Sequence, residues 1–317
     1  MVQRASSASG RLRRFFDHCC LMFPRQCPVC PFLYLLREDS SGGFMKTTGA
    51  TQIITGYFQF PVAFKRPEFN CQTIADGLKD ADFDLLVLPE MCTTGYLFDS
   101  KEELLPFADC AQTGAFAGFL QDLSAQKQAT LVAGMVERDG ENLYNTAIVV
   151  SRGKWLGKQR KCHITDLEKK LFEEGDRWQC FDDGKIRFGV LICFDLWLPE
   201  AARLLALDGA KLYCCPVNYG GPWTGDIMRV RAMENGLPLV SCNRTGVESG
   251  LQMDARFCGE SQIIDAAGNK LVQSRQETSL ELTQLSIGPK GEAQGNVMCS
   301  DLLKEARRYT LSGPVYR

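Results

Sequence analysis

A chain of 317 residues, 45% hydrophobic and 23% charged, is long enough for one large or two ordinary globular domains. Its net charge of −2 gives no general attraction to nucleic acid or an anionic membrane, and no apolar run reaches the roughly 18–20 residues that span a bilayer. Fifteen cysteines in a chain too long to need a disulfide scaffold, many inside apolar runs (Cys180, Cys214, Cys215, Cys242), read as small buried hydrophobes in a reducing cytoplasm.

In chain order, residues 1–44 read as a disordered or non-native N-terminal extension, with Met45 as a start. They hold the apolar stretch LMFPRQCPVCPFLYLL, broken by three prolines, and one Cys27-x-x-Cys30 pair without a second pair to complete a zinc site. From residue 52, apolar runs alternate with helical spacing, and 45–317 reads as a single domain. QIITGYFQF (52–60) is a strand, 67–80 a helix, and DLLVLPE (84–90) a buried strand. A helix over 113–128 precedes strands ATLVAGMVE and NTAIVVS. IRFGVLIC (186–193) is a buried strand feeding the helix PEAARLLALDGA (199–210). KLYCCPV, a helix over 224–236, and LPLVSCN follow. SQIIDAAGNKLVQ (261–273) is a hairpin with TSLELTQLS (278–286) as its neighbour, and a last helix lies near 299–308. Alternating strands and helices define an α/β fold, and the hairpins add antiparallel pairing.

Cys193 ends a buried strand where a helix begins, a place for a nucleophile. Only two histidines are present, so a Cys–His dyad would have to use His163. A carboxylate base faces a mismatch: a free Cys titrates at about 8.5 and a free Glu at about 4.3, a gap of roughly 5–6 kcal/mol for the proton transfer. Burial that raises the acid and an ammonium that lowers the thiol would narrow it. Glu90 ends a second buried strand just after Pro89, and GKQRKCHI offers Lys158, Arg160 and Lys161 as cations. Two reactive strand ends suit a site at the carboxyl edge of a sheet.

LVLPEMCTTGY, RKCHI and GVLICFDLWLPE, in that order, resemble the nitrilase or carbon–nitrogen hydrolase superfamily. RVRAMENGLPLVSCNRTG, GESQIIDAAGNKL and LEKKLFEEGD extend the resemblance over about residues 52–290. It implies a four-layer α-β-β-α sandwich with mixed sheets, usually a homodimer or higher oligomer whose sheets continue across the interface. It implies Glu90 as base, Lys161 as cation, Cys193 as nucleophile and Glu168 as a second glutamate, with Glu173 and Glu174 as rivals for that last role. His163 then reads as a structural polar group beside Lys161. The Phe194 N–H would help stabilise developing negative charge. The loop NYGGPWTGD makes Asn218, Tyr219 and Trp223 pocket-wall candidates, with Phe194 beside the nucleophile.

The family's N-carbamoyl hydrolases usually carry Asn-Asp-x-Arg after the cysteine, and its true nitrilases Trp-Glu. Phe194-Asp195-Leu196-Trp197 is closer to amidases of the ω-amidase type. The expected activity is hydrolysis of a small aliphatic amide to acid and ammonia, with N-carbamoyl or nitrile hydrolysis as the runner-up. Acyl transfer and an inactive binding protein are the readings from other classes. No metal cluster, phosphate loop or cofactor motif is visible, and this chemistry needs neither metal nor cofactor.

Overall fold

A strand with apolar side chains on both faces must be covered on both, and the central strands here are. The structure, a computed structural model, describes residues 49–250 and 253–288. The Cys27–Cys30 pair, the expected N-terminal extension and the expected helix near 299–308 lie outside the described residues.

The first half builds β1 (Thr51–Gln59), β2 (Leu85–Val87), β3 (Thr130–Asp139), β4 (Asn142–Ser151) and β5 (Lys154–Arg160), with helices α1 (Pro67–Leu78), α2 (Lys101–Leu104) and α3 (Ala115–Lys127). The second half builds β6 (Cys180–Asp182), β7 (Arg187–Val190), α4 (Pro199–Leu207), β8 (Tyr213–Pro216), α5 (Thr224–Asn235) and β9 (Leu239–Cys242). Then come β10 (Thr245–Gly250), β11 (Met253–Cys258), β12 (Gln262–Ile264), β13 (Lys270–Gln273) and β14 (Ser279–Ile287). One six-stranded sheet has the order β14-β1-β2-β3-β4-β5, the other β13-β12-β9-β8-β7-β6, and β10–β11 form a separate two-stranded ribbon. In each sheet the three central strands run parallel, β1-β2-β3 and β7-β8-β9, and the flanking pairs are antiparallel.

The two-residue period of the strands sorts their side chains into layers. Leu85 and Val87 face between the sheets and pack with Phe188, Val190, Cys214 and Val240. Leu86 and Leu88 face outward against Ile74, Leu78, Phe116 and Leu120 of α1 and α3. On the far side Leu191, Tyr213, Cys215 and Leu239 pack against Ala201, Leu205, Met228 and Ala232 of α4 and α5. The result is the four-layer α-β-β-α sandwich, each buried Leu, Val or Phe side chain contributing about 1.5–3 kcal/mol.

Two features depart from the sequence pattern. β14 does not neighbour the β12–β13 hairpin in its sheet; it pairs with β1 of the other sheet over nine residues, Thr51↔Ile287 to Gln59↔Ser279. That register sends Leu285 and Ile287 into the layer between the sheets. β5 and the β10–β11 ribbon carry too many polar, half-exposed residues to stand out as strands. In α5, Arg231 pairs with Glu234 at 2.8 Å, while Arg229 turns away to donate to the Gly268 carbonyl.

Candidate active site

Strand ends bring the functional side chains together. After β2, Leu88 N–H still reaches the Val132 carbonyl at 2.8 Å, but Pro89 has no N–H to continue the ladder. The chain turns at Met91, whose φ of 46° is left-handed, and Glu90 is delivered fully buried. Gly134 in β3 makes this turn possible. A Cβ there would lie 2.5 Å from the Glu90 Cα. Lys161 follows β5 directly, its N–H donating to the Asn145 carbonyl at 2.8 Å.

Lys161 Nζ sits between two carboxylates, 2.9 Å from Glu90 Oε1 and 2.8 Å from Glu168 Oε1. Asn145 Nδ2 donates to the same two oxygens, at 2.7 Å and 2.8 Å. The Thr165 N–H gives Glu168 Oε2 a further donor at 2.7 Å. Of the three candidate glutamates it is Glu168 that meets Lys161. Glu173 instead lies 3.9 Å from Lys101, and Glu174 is exposed. Glu90 Oε2 is buried and finds no hydrogen-bond partner among the described residues.

One ammonium against two carboxylates leaves the cluster short of one positive charge, and the donors decide which acid bears it. Burial works against the Lys161 ammonium, but Glu90 and Glu168 outweigh it and hold its pKa well above the lysine range. Burial also favours neutral Glu168, yet Lys161, Thr165 and Asn145 pull its pKa below the usual carboxylate value. For Glu90 burial prevails over Lys161, and its pKa is raised. Glu90 is therefore the member of the pair ready to hold a proton.

Cys193 stands at the head of a 3-10 turn, Cys193–Trp197, which Leu191 and Ile192 join to the end of β7, with φ 46°. Such a conformation costs of order 1–3 kcal/mol and clusters at functional sites. Asp195 holds it in place. Its buried carboxylate accepts the Ile192 N–H at 3.2 Å and the His163 N–H at 2.9 Å, tying the Cys193 turn to the residues after Lys161. His163 stacks on Trp178, ring centroids 5.2 Å apart, in a structural setting. Cys193 Sγ donates to the Asn218 carbonyl at 3.4 Å. Burial raises the thiol pKa well above its ordinary value, Glu90 adds to this, and Lys161 opposes it.

The wall candidates separate. Asn218 is 8% exposed, and neither atom of its side-chain amide finds a hydrogen-bond partner among the described residues. Tyr219 is buried, its hydroxyl turned to the Glu260 carbonyl at 3.2 Å. Phe194 is half-buried against Trp197, centroids 6.3 Å apart. Trp223 is 67% exposed.

Two residues escaped the sequence reading. Asn145 lies within a run read only as a strand, and nothing but its polarity on a buried strand marks it. Tyr96 closes the LVLPEMCTTGY motif; its side chain packs with Met91, Leu171 and Phe172. Burial raises the Tyr96 phenol well above its usual range, and Lys161, Glu168, Glu90 and Cys193 all act on it electrostatically. Among the described residues no group of three His, Cys, Asp or Glu could hold a metal ion, and no helix is long and apolar enough to cross a membrane.

The layering sets the fold class, a four-layer α-β-β-α sandwich. The chain belongs to the carbon–nitrogen hydrolase family, whose model matches residues 68–289. It is an enzyme of the amidohydrolase kind. It is 38% identical over 211 residues to a nitrilase of Pyrococcus abyssi, covering 65% of this chain and 79% of that one. It is 30% identical over 236 residues to an (R)-stereoselective amidase of a Pseudomonas species, covering 73% and 82%. A carbon–nitrogen hydrolase from Helicobacter pylori superposes with a TM-score of 0.69 at 25% identity, covering 81% of this chain and 93% of that one.

Proposed function

We propose that the protein hydrolyses a small aliphatic amide to a carboxylic acid and ammonia through a thioester on Cys193. One observation carries the reading: a buried ammonium bridges two carboxylates, and the one with the raised pKa keeps a buried, unpartnered oxygen. The nucleophile is a protonated thiol, so its proton moves to Glu90 as sulfur bonds to the amide carbon. Lys161, with the Phe194 N–H, stabilises the developing oxyanion. Glu90 passes the proton to the leaving nitrogen, the C–N bond breaks, and ammonia departs. Water then attacks the thioester, losing a proton to Glu90; the C–S bond breaks, and the thiolate recovers that proton. Glu168 and Asn145 hold Lys161 and Glu90 in register throughout.

The Asn218 side chain supports a polar, uncharged substrate. Its two unpaired amide atoms can give and accept one hydrogen bond each, which an amide group returns. Phe194 and Tyr219 wall the site, and Trp223 belongs to its outer rim. The proposal extends to one domain over 45–317, a homodimer or higher homo-oligomer, and the cytoplasm. All ten described cysteines are free, as a reducing compartment keeps them.

The test is ammonia release from a panel of short aliphatic amides, N-carbamoyl amino acids and aliphatic nitriles, with hydroxylamine added to divert a thioester to hydroxamate. Ammonia and hydroxamate from amides are expected. Turnover of nitriles or carbamoyl compounds alone, or none at all, would overturn the reading.

A further inference from the structure

The loop that follows Glu90 is gripped by the β10–β11 ribbon, which belongs to neither six-stranded sheet. Glu248, on the detached ribbon β10–β11, is 3% exposed and accepts the Tyr96 backbone N–H with both oxygens, at 2.8 Å and 3.0 Å. Its charge is matched by Arg244, 1% exposed, whose Nη1 lies 2.7 Å from Glu248 Oε2. Arg244 is itself fixed: Nη2 donates to the Val62 carbonyl at 2.6 Å, and the guanidinium lies 4.3 Å from the centre of the Phe257 ring on β11. The fit between loop and ribbon is close. Gly95, at φ 81°, leaves no room for a Cβ beside the Glu248 carboxylate, and Gly250 leaves none beside the Leu97 carbonyl. The loop's other side is held by Asn70 Nδ2, donating to the Thr93 carbonyl at 2.8 Å, and by the Lys65 N–H, donating to the Thr94 carbonyl at 2.8 Å.

A buried ion pair is a poor way to gain stability; a pair of apolar residues of the same volume does as well or better. What it gives here is a rigid acceptor for one particular backbone N–H. That N–H belongs to Tyr96, whose side chain packs against the apolar cluster that holds Met91, next to Glu90, and Leu171, whose N–H donates to the Glu168 carbonyl at 2.8 Å. We infer that Glu248, held by Arg244, is a positioning residue that sets the Tyr96 hydroxyl against the bound amide, so that the ribbon controls substrate affinity through Tyr96. Tyr96 is then the residue in touch with substrate, and Glu248 acts only through it. The inference rests on Cys193 being the nucleophile of the proposed reaction.

The experiment is a double-mutant cycle between E248D and Y96F, read with acrylamide as an amide-shaped probe that alkylates the nucleophile. Peptide mass spectrometry follows the adduct on Cys193 and gives a half-saturation concentration and a maximal rate. E248D keeps the charge facing Arg244 but draws the carboxylate back from the Tyr96 N–H. R244Q/E248Q, which removes both charges together, is run in parallel so that neither is left buried alone. In the wild-type background each change is expected to raise the half-saturation concentration about 5-fold or more, with a smaller effect on the maximal rate. In the Y96F background each is expected to change it less than about 2-fold. Equal effects in both backgrounds, or a lowered Tm with unaltered half-saturation, would overturn the inference. If wild-type Cys193 shows no saturable alkylation and no amide yields ammonia, the proposed function fails instead, and the two failures are distinct.

Discussion

Removing the ammonium tests the electrostatics of the pocket most sharply. In Lys161→Met a side chain of similar length fills the space, but Glu90 and Glu168 lose a cation 2.9 Å and 2.8 Å away. Both carboxylates and the lysine side chain are essentially inaccessible to water, so no solvent screening softens the loss. Breaking a buried pair from one side costs about 3–5 kcal/mol, on the order of 10 °C in Tm for a domain of this size. The cost depends on pH in a definite sense. Without Lys161 both acids have folded pKa values above their unfolded value of about 4.3. Their contribution is most favourable below that value and is lost as pH rises through the folded pKa values. In the wild type Glu168 works the other way, because its pKa is lowered and its stabilisation is present at neutral pH. The Tm gap between wild type and variant should therefore be small near pH 5 and widen toward pH 8, in melts followed by circular dichroism. Ammonia release should fall at least about 10²-fold with the oxyanion's cation gone. A Tm gap independent of pH, or turnover within about tenfold of wild type, would refute this account of the pocket.

Other outcomes follow from single contacts. Glu90 must be ionised to accept a proton and its pKa is raised, so the acid limb of kcat/KM should lie above about pH 4.3, activity falling as pH drops through it; a limb at or below that value contradicts the assignment. Gly134→Ala drives a Cβ to 2.5 Å from the Glu90 Cα, where backbone must move: a loss of about 1–3 kcal/mol in urea unfolding is expected, with a fall in kcat, and a neutral result would show that the strand end tolerates displacement. Asn218→Ala should raise KM for the preferred amide about tenfold while exposed Trp223→Ala changes Tm by less than about 1–2 °C and KM by less than about 2-fold; the reverse ranking would move the substrate to the rim.

How far the fold could be read from sequence depended on where the side chains face. β2, β7, β8 and β9 are covered on both faces, so they appear as unbroken apolar runs, and their ends mark the pocket. Glu90 and Cys193 were legible for that reason, Lys161 through its motif. β5 (KWLGKQR) was not, because all of its residues but Gln159 are at least partly exposed and no alternation survives. β14 was seen as a strand but assigned the wrong neighbour. Local sequence suggests pairing with the preceding hairpin, whereas the nine-residue register with β1 and the burial of Leu285 and Ile287 decide otherwise. Asn145 could not be singled out, since its role exists only once β4, β2 and the Glu168 turn converge. Arg244 lies within the family-like segment RVRAMENGLPLVSCNRTG and Glu248 just beyond it, but the hold of Glu248 on Tyr96 spans 152 residues of chain and has no local signal.

The most direct test of the central claim is ammonia release by Cys193→Ala, measured beside its thermal melt and the hydroxamate yield with hydroxylamine. The expected result is a variant that melts close to wild type and releases neither ammonia nor hydroxamate above the uncatalysed rate. Turnover that survives loss of the sulfur would contradict a thioester mechanism at this residue.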